Sequence, residues 1–182
     1  WMDDPTRERA KAKVATVQNK IGYPDAWRDY SALTVENGKH AENIAASRRF
    51  ETAYQLGKAG KPVDPNEWFM SPSEVNAYYN PLANEMAFPA GILQPPFFLR
   101  EFPAAMNYGA IGMVMGHELT HGFDDSGRKF DPQGQMVEWW APEVSAGFET
   151  AAACVENQYS KYEVQPGLAV NGKLTLGENI AD

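Results

Sequence analysis

Apolar residues recur at helical intervals along the first third of the chain, then give way to short aromatic runs and a long small-residue stretch. Asp3, Asp4 and Pro5 form a helix start, with acidic capping residues followed by proline in the first turn. Val14, Val17 and Ile21 follow at spacings of three and four, and Gly22-Tyr23-Pro24 stops the segment. A second helix is predicted from about Ala41 to Leu56, after the Asn37-Gly38 turn, with Ile44, Ala45, Phe50 and Ala53 inward. Gly57, Gly60, Pro62 and Pro65 mark a linker between two halves.

Beyond the linker, Val75 to Tyr79 and Glu85 to Phe88 read as strands, and the bounding prolines Pro72, Pro81 and Pro89 favour edge positions. Pro95-Pro96 stops the segment at Ile92-Leu93. Ala104 to Gly122 reads as one buried helix, with Met113 and Met115 packing inside. Gly109, Gly112 and Gly116 each cost that helix roughly 1 kcal/mol relative to alanine, so it needs close neighbours. Asp124 to Trp140 reads as loop, Pro142 to Tyr159 as a third long helix, and Asn171-Gly172 as a turn. Trp139, Trp140 and Phe148 are assigned to the core. The division expected is a helical segment over 1–61 leading into a catalytic core over 62–182.

The 182 residues are 43% hydrophobic and 22% charged, enough to bury a core. A formal charge of -8 argues against nucleic acid as a partner. The locally basic run from Arg7 to Lys20 reads as the solvated face of a helix. No window approaches the ~18 consecutive apolar residues of a membrane span, and no signal peptide is read. Cys154 is the one cysteine, so no disulfide closes within the chain. The start at Trp1 and the stop at Asp182, inside a predicted helix opening, read as a piece of a longer protein.

His117-Glu118-Leu119-Thr120-His121 carries the chemistry. On a helix, positions i and i+4 share a face one turn apart, so both imidazoles can reach one ion. Zinc accepts such nitrogens and leaves room for a water, and Glu118 stands where it can take a proton from that water. A catalytic zinc takes three protein ligands as a rule. His40 lies far upstream in a polar segment and reads as exposed, and no histidine follows His121, so the third ligand is expected to be a carboxylate. Glu178 and Asp182 stand four residues apart on an incipient helix, where one can ligate while the other orients an imidazole. Asp124, three residues past His121, can serve the second histidine in the same way.

His-Glu-Leu-Thr-His-Gly-Phe-Asp-Asp from 117, Val-Asn-Ala-Tyr-Tyr at 75–79, Gly-Glu-Asn-Ile-Ala-Asp at 177–182 and the stretch Phe88 to Phe98 together resemble the neprilysin and endothelin-converting-enzyme family of zinc endopeptidases. The resemblance runs over about Trp27 to Asp182. It implies an α+β, zincin (thermolysin-like) catalytic lobe, mostly helical, with a small sheet whose edge strand carries Asn76, and incomplete at the C-terminus. It implies Zn2+ bound by His117, His121 and Glu178, with Glu118 as base and proton shuttle. Asp182 matches the family's acidic partner in catalysis, described there as a proton donor; as a hydrogen-bonded carboxylate it is better suited to orienting a histidine. Asp124 matches an aspartate that supports a ligand, and Asn76 and Ala77 match the pair that grips substrate backbone. Oligopeptide substrates, an extracytoplasmic location and a disulfide from Cys154 to a cysteine outside this chain follow from the same likeness. So does a partner segment, the missing C-terminal part of the domain, where the family keeps a histidine and an arginine that stabilise the oxyanion. Two rivals stand beside this picture: a silent peptide-binding module, which the intact Glu118 opposes, and an assembly fragment inactive without that missing part.

Overall fold

The computed structural model describes residues 1–182 and separates into two compact units. One joins 1–23 to 70–182; the other is 24–69. The boundary drawn after residue 61 from composition falls inside the second unit. That unit consists of helix α2 (His40–Leu56) and its flanking loops, and no residue of α2 is buried. The expected inward face at Ile44, Ala45, Phe50 and Ala53 is therefore corrected. What orders it instead is a cation among rings: the Arg28 guanidinium lies 3.8 Å from the Tyr54 ring centroid, beside Tyr30 and Phe50, and pairs with Glu51 at 2.7 Å.

In the larger unit, helix α1 (Asp4–Ala15) starts where expected, with the Asp3 carboxylate accepting from the Thr6 N–H at 2.8 Å. It stops earlier than the apolar spacing predicts. Thr16 turns its hydroxyl back onto the Ala12 and Lys13 carbonyls, and Gln18–Gly22 leaves as strand β1. β1 lies parallel to β3 (Glu85–Pro89), and β2 (Tyr78–Asn80) lies antiparallel on the other side, in the order β1-β3-β2. β3 is thus the central strand, buried along its whole length, and the edge position predicted for it is corrected. Pro89 ends the strand, where its missing N–H costs the ladder nothing. Glu85, buried in β3, is paired with Lys20 of β1 at 2.6 Å. The basic run is therefore only partly solvated: Lys20 is nearly covered and Lys13 is 0% exposed.

The stretch 104–122 is two helices, α3 (Ala104–Gly109) and α4 (Ile111–His121), not one. Ala110 carries the break, and the Ile111 N–H bonds to the Phe97 carbonyl at 2.9 Å instead of continuing the helical ladder. The burial expected of the whole stretch is corrected as well. Met106, Tyr108, Met113 and Met115 are exposed, while Ile111 and Glu118 are buried. α4 lays Ile111, Val114 and Leu119 against Met86 and Phe88 of β3 and against Ala77, which immediately precedes β2, forming the first core cluster. Helix α5 (Pro142–Tyr159) buries Val144, Phe148 and Ala152, one residue per turn, against Trp139, Trp140 and Leu176, forming the second. Helix α6 (Leu176–Ala181) sits between α5 and α4, and a two-stranded ribbon, β4 (Glu163–Gln165) and β5 (Leu168–Ala169), precedes it. Cys154 is exposed on α5 with a free thiol. No helix is long and apolar enough to cross a membrane. The architecture is α+β and zincin-like: a helix with two histidines packed on a small sheet.

Candidate metal centre

The C-terminal half of α4 carries His117 and His121 one turn apart, and the docking of α6 against α4 brings Glu178 to them. His117 Nε2 and His121 Nε2 are 3.0 Å apart, and Glu178 Oε2 lies 3.2 Å from the first and 3.5 Å from the second. The outer nitrogens are held by carboxylates: His117 Nδ1 meets Asp182 Oδ1 at 2.9 Å, and His121 Nδ1 meets Asp124 Oδ2 at 2.7 Å. Carboxylates accept and do not donate, so each Nδ1 carries the proton and each Nε2 presents a lone pair. Three electron-rich atoms then crowd one point. A proton can reconcile one pair of them; a divalent cation reconciles all three. Donors ~2.0–2.1 Å from a tetrahedral ion stand about 3.3–3.4 Å apart, which the three observed separations bracket, so the donor set fits zinc.

The two supporting aspartates differ in setting. Asp124 is 8% exposed, and its Oδ1 accepts from the Ser126 and Gly127 N–H groups at 2.8 and 2.6 Å. Burial pushes its carboxyl upward, but the His121 bond and the two amides outweigh that and hold it below the usual aspartate value. His121 is raised in turn, chiefly by its hydrogen bond to Asp124, against the opposing effect of burial. Asp182 is 62% exposed, so the same bond to His117 is made at the rim. Space shapes the inner side. A Cβ on Gly127 would stand 1.8 Å from the His121 carbonyl oxygen, and one on Gly177 would stand 3.1 Å from Asp124 Oδ2. Only glycine fits at 127, and at 177 a side chain would press on the Asp124 carboxylate.

Glu118 lies beside the cluster and is 6% exposed. Burial raises its carboxyl above the ordinary glutamate value, with the neighbouring histidines pulling the other way. A cavity of about 480 Å³ opens over this group, lined by Asn76, Ala77, Tyr78, Tyr79, Pro81, both histidines, Glu118 and Glu178. Asn76 precedes edge strand β2 by two residues and is exposed, with its Oδ1 accepting from the Ala77 N–H at 2.9 Å; Ala77 is buried. A second recess of about 260 Å³, on the Asp182 side of Glu118, is walled by Val75, Ile92, Phe97, Met113 and Val114. Met113 lines this space, where its sequence position suggested packing. His40, the remaining histidine, begins α2 and is exposed. The sequence did not point to Tyr79, whose ring stands within 3.2 Å of a Cβ built on Gly122, nor to the Ser126 and Gly127 amides.

Residues 76–182 match the sequence model of Peptidase family M13. Over its whole length the chain is 43% identical to an endothelin-converting enzyme homolog of Locusta migratoria and 41% identical to neprilysin of Homo sapiens, covering 26% of each. It superposes in full on 28% of the zinc metalloprotease ZMP1 of Mycobacterium tuberculosis, crystallised with an inhibitor, at 44% identity and a TM-score of 0.95. The chain thus spans about a quarter of the length of the relatives it matches.

Proposed function

This chain belongs to peptidase family M13, and from that premise we propose that it forms the zinc-binding part of an endopeptidase that hydrolyses oligopeptides. His117, His121 and Glu178 hold the metal, and Glu118 moves the protons. The observation that carries the proposal is the convergence of two imidazole lone pairs and one carboxylate oxygen within 3.5 Å. A zinc ion there supplies the positive charge that polarises a carbonyl and brings the pKa of a water to ~7.

The chain's own residues do the rest. Glu118, ionised, takes a proton from the attacking water on its carboxylate and later passes it to the nitrogen of the leaving amine. Its burial favours this, because a carboxylate with a raised affinity for protons is the stronger base. Asp182 and Asp124 act on the histidines and not on the substrate, each fixing the tautomer that turns a lone pair inward. Asn76 spends its Oδ1 on the Ala77 N–H, which leaves its Nδ2 protons for a substrate carbonyl, and an extended peptide can run along edge strand β2. The apolar recess beside Glu118 takes an apolar side chain adjoining the scissile bond. The peptides are those met outside the cytoplasm, the location the resemblance implies.

Glu118→Gln tests the assignment. It removes the base and leaves all three ligands, so turnover of an internally quenched peptide should fall at least 10²–10⁴-fold while bound zinc stays at one per chain. Zinc lost together with activity would mean that Glu118 holds the site and is not its base.

A further inference from the structure

Lys13 lies in α1, more than a hundred residues before the histidines, and its side chain is 0% exposed. Its Nζ donates to three backbone carbonyls: Gly122 at 2.7 Å, Gly127 at 2.9 Å and Phe130 at 2.7 Å. Those bonds use all three ammonium protons. The rings of Phe123, Trp139 and Tyr79 surround the charge at 5.3–5.9 Å. A buried ammonium without a bonded carboxylate costs several kcal/mol, so packing alone does not account for it. What it holds does.

The three carbonyls belong to one loop. Gly122 caps α4 immediately after His121, where the helix presents its partial negative charge. Gly127 is the residue whose N–H holds Asp124 Oδ1, and Phe130 closes the loop. Asp124 gathers the amides of this loop from within, and Lys13 gathers its carbonyls from behind. Lys13 is itself tied down: its own carbonyl accepts from Asn84 Nδ2 at 3.1 Å, and Asn84 Oδ1 accepts from the Tyr79 hydroxyl at 2.7 Å.

We propose that Lys13 is a positioning residue of the metal centre: by clamping the 122–130 loop it sets the Asp124 carboxylate against His121 Nδ1 and so aims the His121 Nε2 lone pair. The inference rests on the metal-site proposal above. Without the tripod the loop relaxes, Asp124 is no longer held at His121, and the imidazole loses its fixed direction.

The test is zinc affinity by competition with a chelator, on the whole protein carrying Lys13→Met, Lys13→Arg, Asp124→Asn, each Lys13 change combined with Asp124→Asn, or His121→Ala. Lys13→Met should weaken zinc about tenfold, the lower end of what removing a ligand's support costs. Lys13→Arg should weaken it too, because a planar fork cannot reach three carbonyls arranged as a tripod. In the Asp124→Asn background either change should cost less than twofold more. At saturating zinc, kcat should fall with KM unchanged. Unaltered zinc affinity in folded Lys13 variants overturns the inference, as does a full tenfold loss that persists with Asp124→Asn. Should Lys13→Met fail to fold, the Lys13→Arg pair decides by the same criteria. Wild-type zinc affinity in His121→Ala sinks the metal site and the inference with it; zinc lost there but not in the Lys13 variants sinks the inference alone.

Discussion

Replacing Asp124 by asparagine changes one atom and reverses one hydrogen bond. The carboxylate holds the Ser126 and Gly127 amides on Oδ1 and the His121 Nδ1 proton on Oδ2. An asparagine can keep its oxygen on the two amides only by turning its NH2 toward His121. That group donates to Nδ1, which sends the imidazole proton to Nε2, where it occupies the lone pair needed for metal. Binding zinc then requires two N–H groups to face each other, with the loss of a hydrogen bond to a charged acceptor worth about 1.5–3 kcal/mol. Turning the amide around instead sacrifices two such bonds. Zinc affinity should therefore fall roughly 10- to 100-fold, in line with other supports of ligand histidines. The assay is a chelator-buffered zinc titration of the purified protein, with circular dichroism melts to verify folding. Asp182→Asn is the comparator: Asp182 is 62% exposed, so water can replace the lost acceptor, and the effect should be smaller. Folded Asp124→Asn protein that binds zinc within twofold of wild type would refute the tautomer argument.

Other consequences follow from the same geometry. Gly127→Ala puts a methyl 1.8 Å from the His121 carbonyl, so the loop must move; melting should drop by about 2–12 °C, for roughly 1–3 kcal/mol of overpacking, and zinc affinity should fall with it. An unchanged melt with unchanged zinc binding would contradict the close approach. In the metal-free chain, the raised folded pKa of His121 means its pairing with Asp124 adds stability that is complete below pH 6.5 and is lost as pH climbs through the folded value. Asp124, held low, contributes above 3.8 and is lost as pH falls through its own folded value. The melting difference between wild type and Asp124→Asn, measured in chelator, should thus be greatest between pH 3.8 and 6.5 and shrink as pH rises through the folded value of His121; a difference that grows with pH would reverse the assignment. Peptides with leucine at the position entering the recess should be cut with kcat/KM at least about tenfold above those with aspartate, and Phe97→Ala should narrow that ratio. Equal rates for the two peptides would remove the recess from the substrate path.

The parts of this molecule that were legible in the sequence are those fixed by local geometry. Two histidines four apart on a helix share a face wherever the helix packs, and Pro142 to Tyr159 carries its start signal and its apolar stripe in plain order. Which of Glu178 and Asp182 faces the Nε2 atoms is different, because it depends on how α6 lies against α4, and their spacing is the same either way. β1 was hidden because Gln-Asn-Lys-Ile-Gly has neither alternation nor β-branched enrichment; β3 recruits it by pairing. The apolar spacing of Val14, Val17 and Ile21 bridged a helix and a strand by coincidence. Lys13 is the clearest case: in a run of basic residues a lysine reads as solvent-facing, and only the carbonyls of a loop far along the chain reverse that.

The three donors ride on unequal supports. His117 and His121 sit on an eleven-residue helix packed against the sheet, whereas Glu178 reaches them from α6, its carboxylate 67% exposed. An ion held as proposed would tie α6 to α4, so that metal binding and the docking of these two helices reinforce each other.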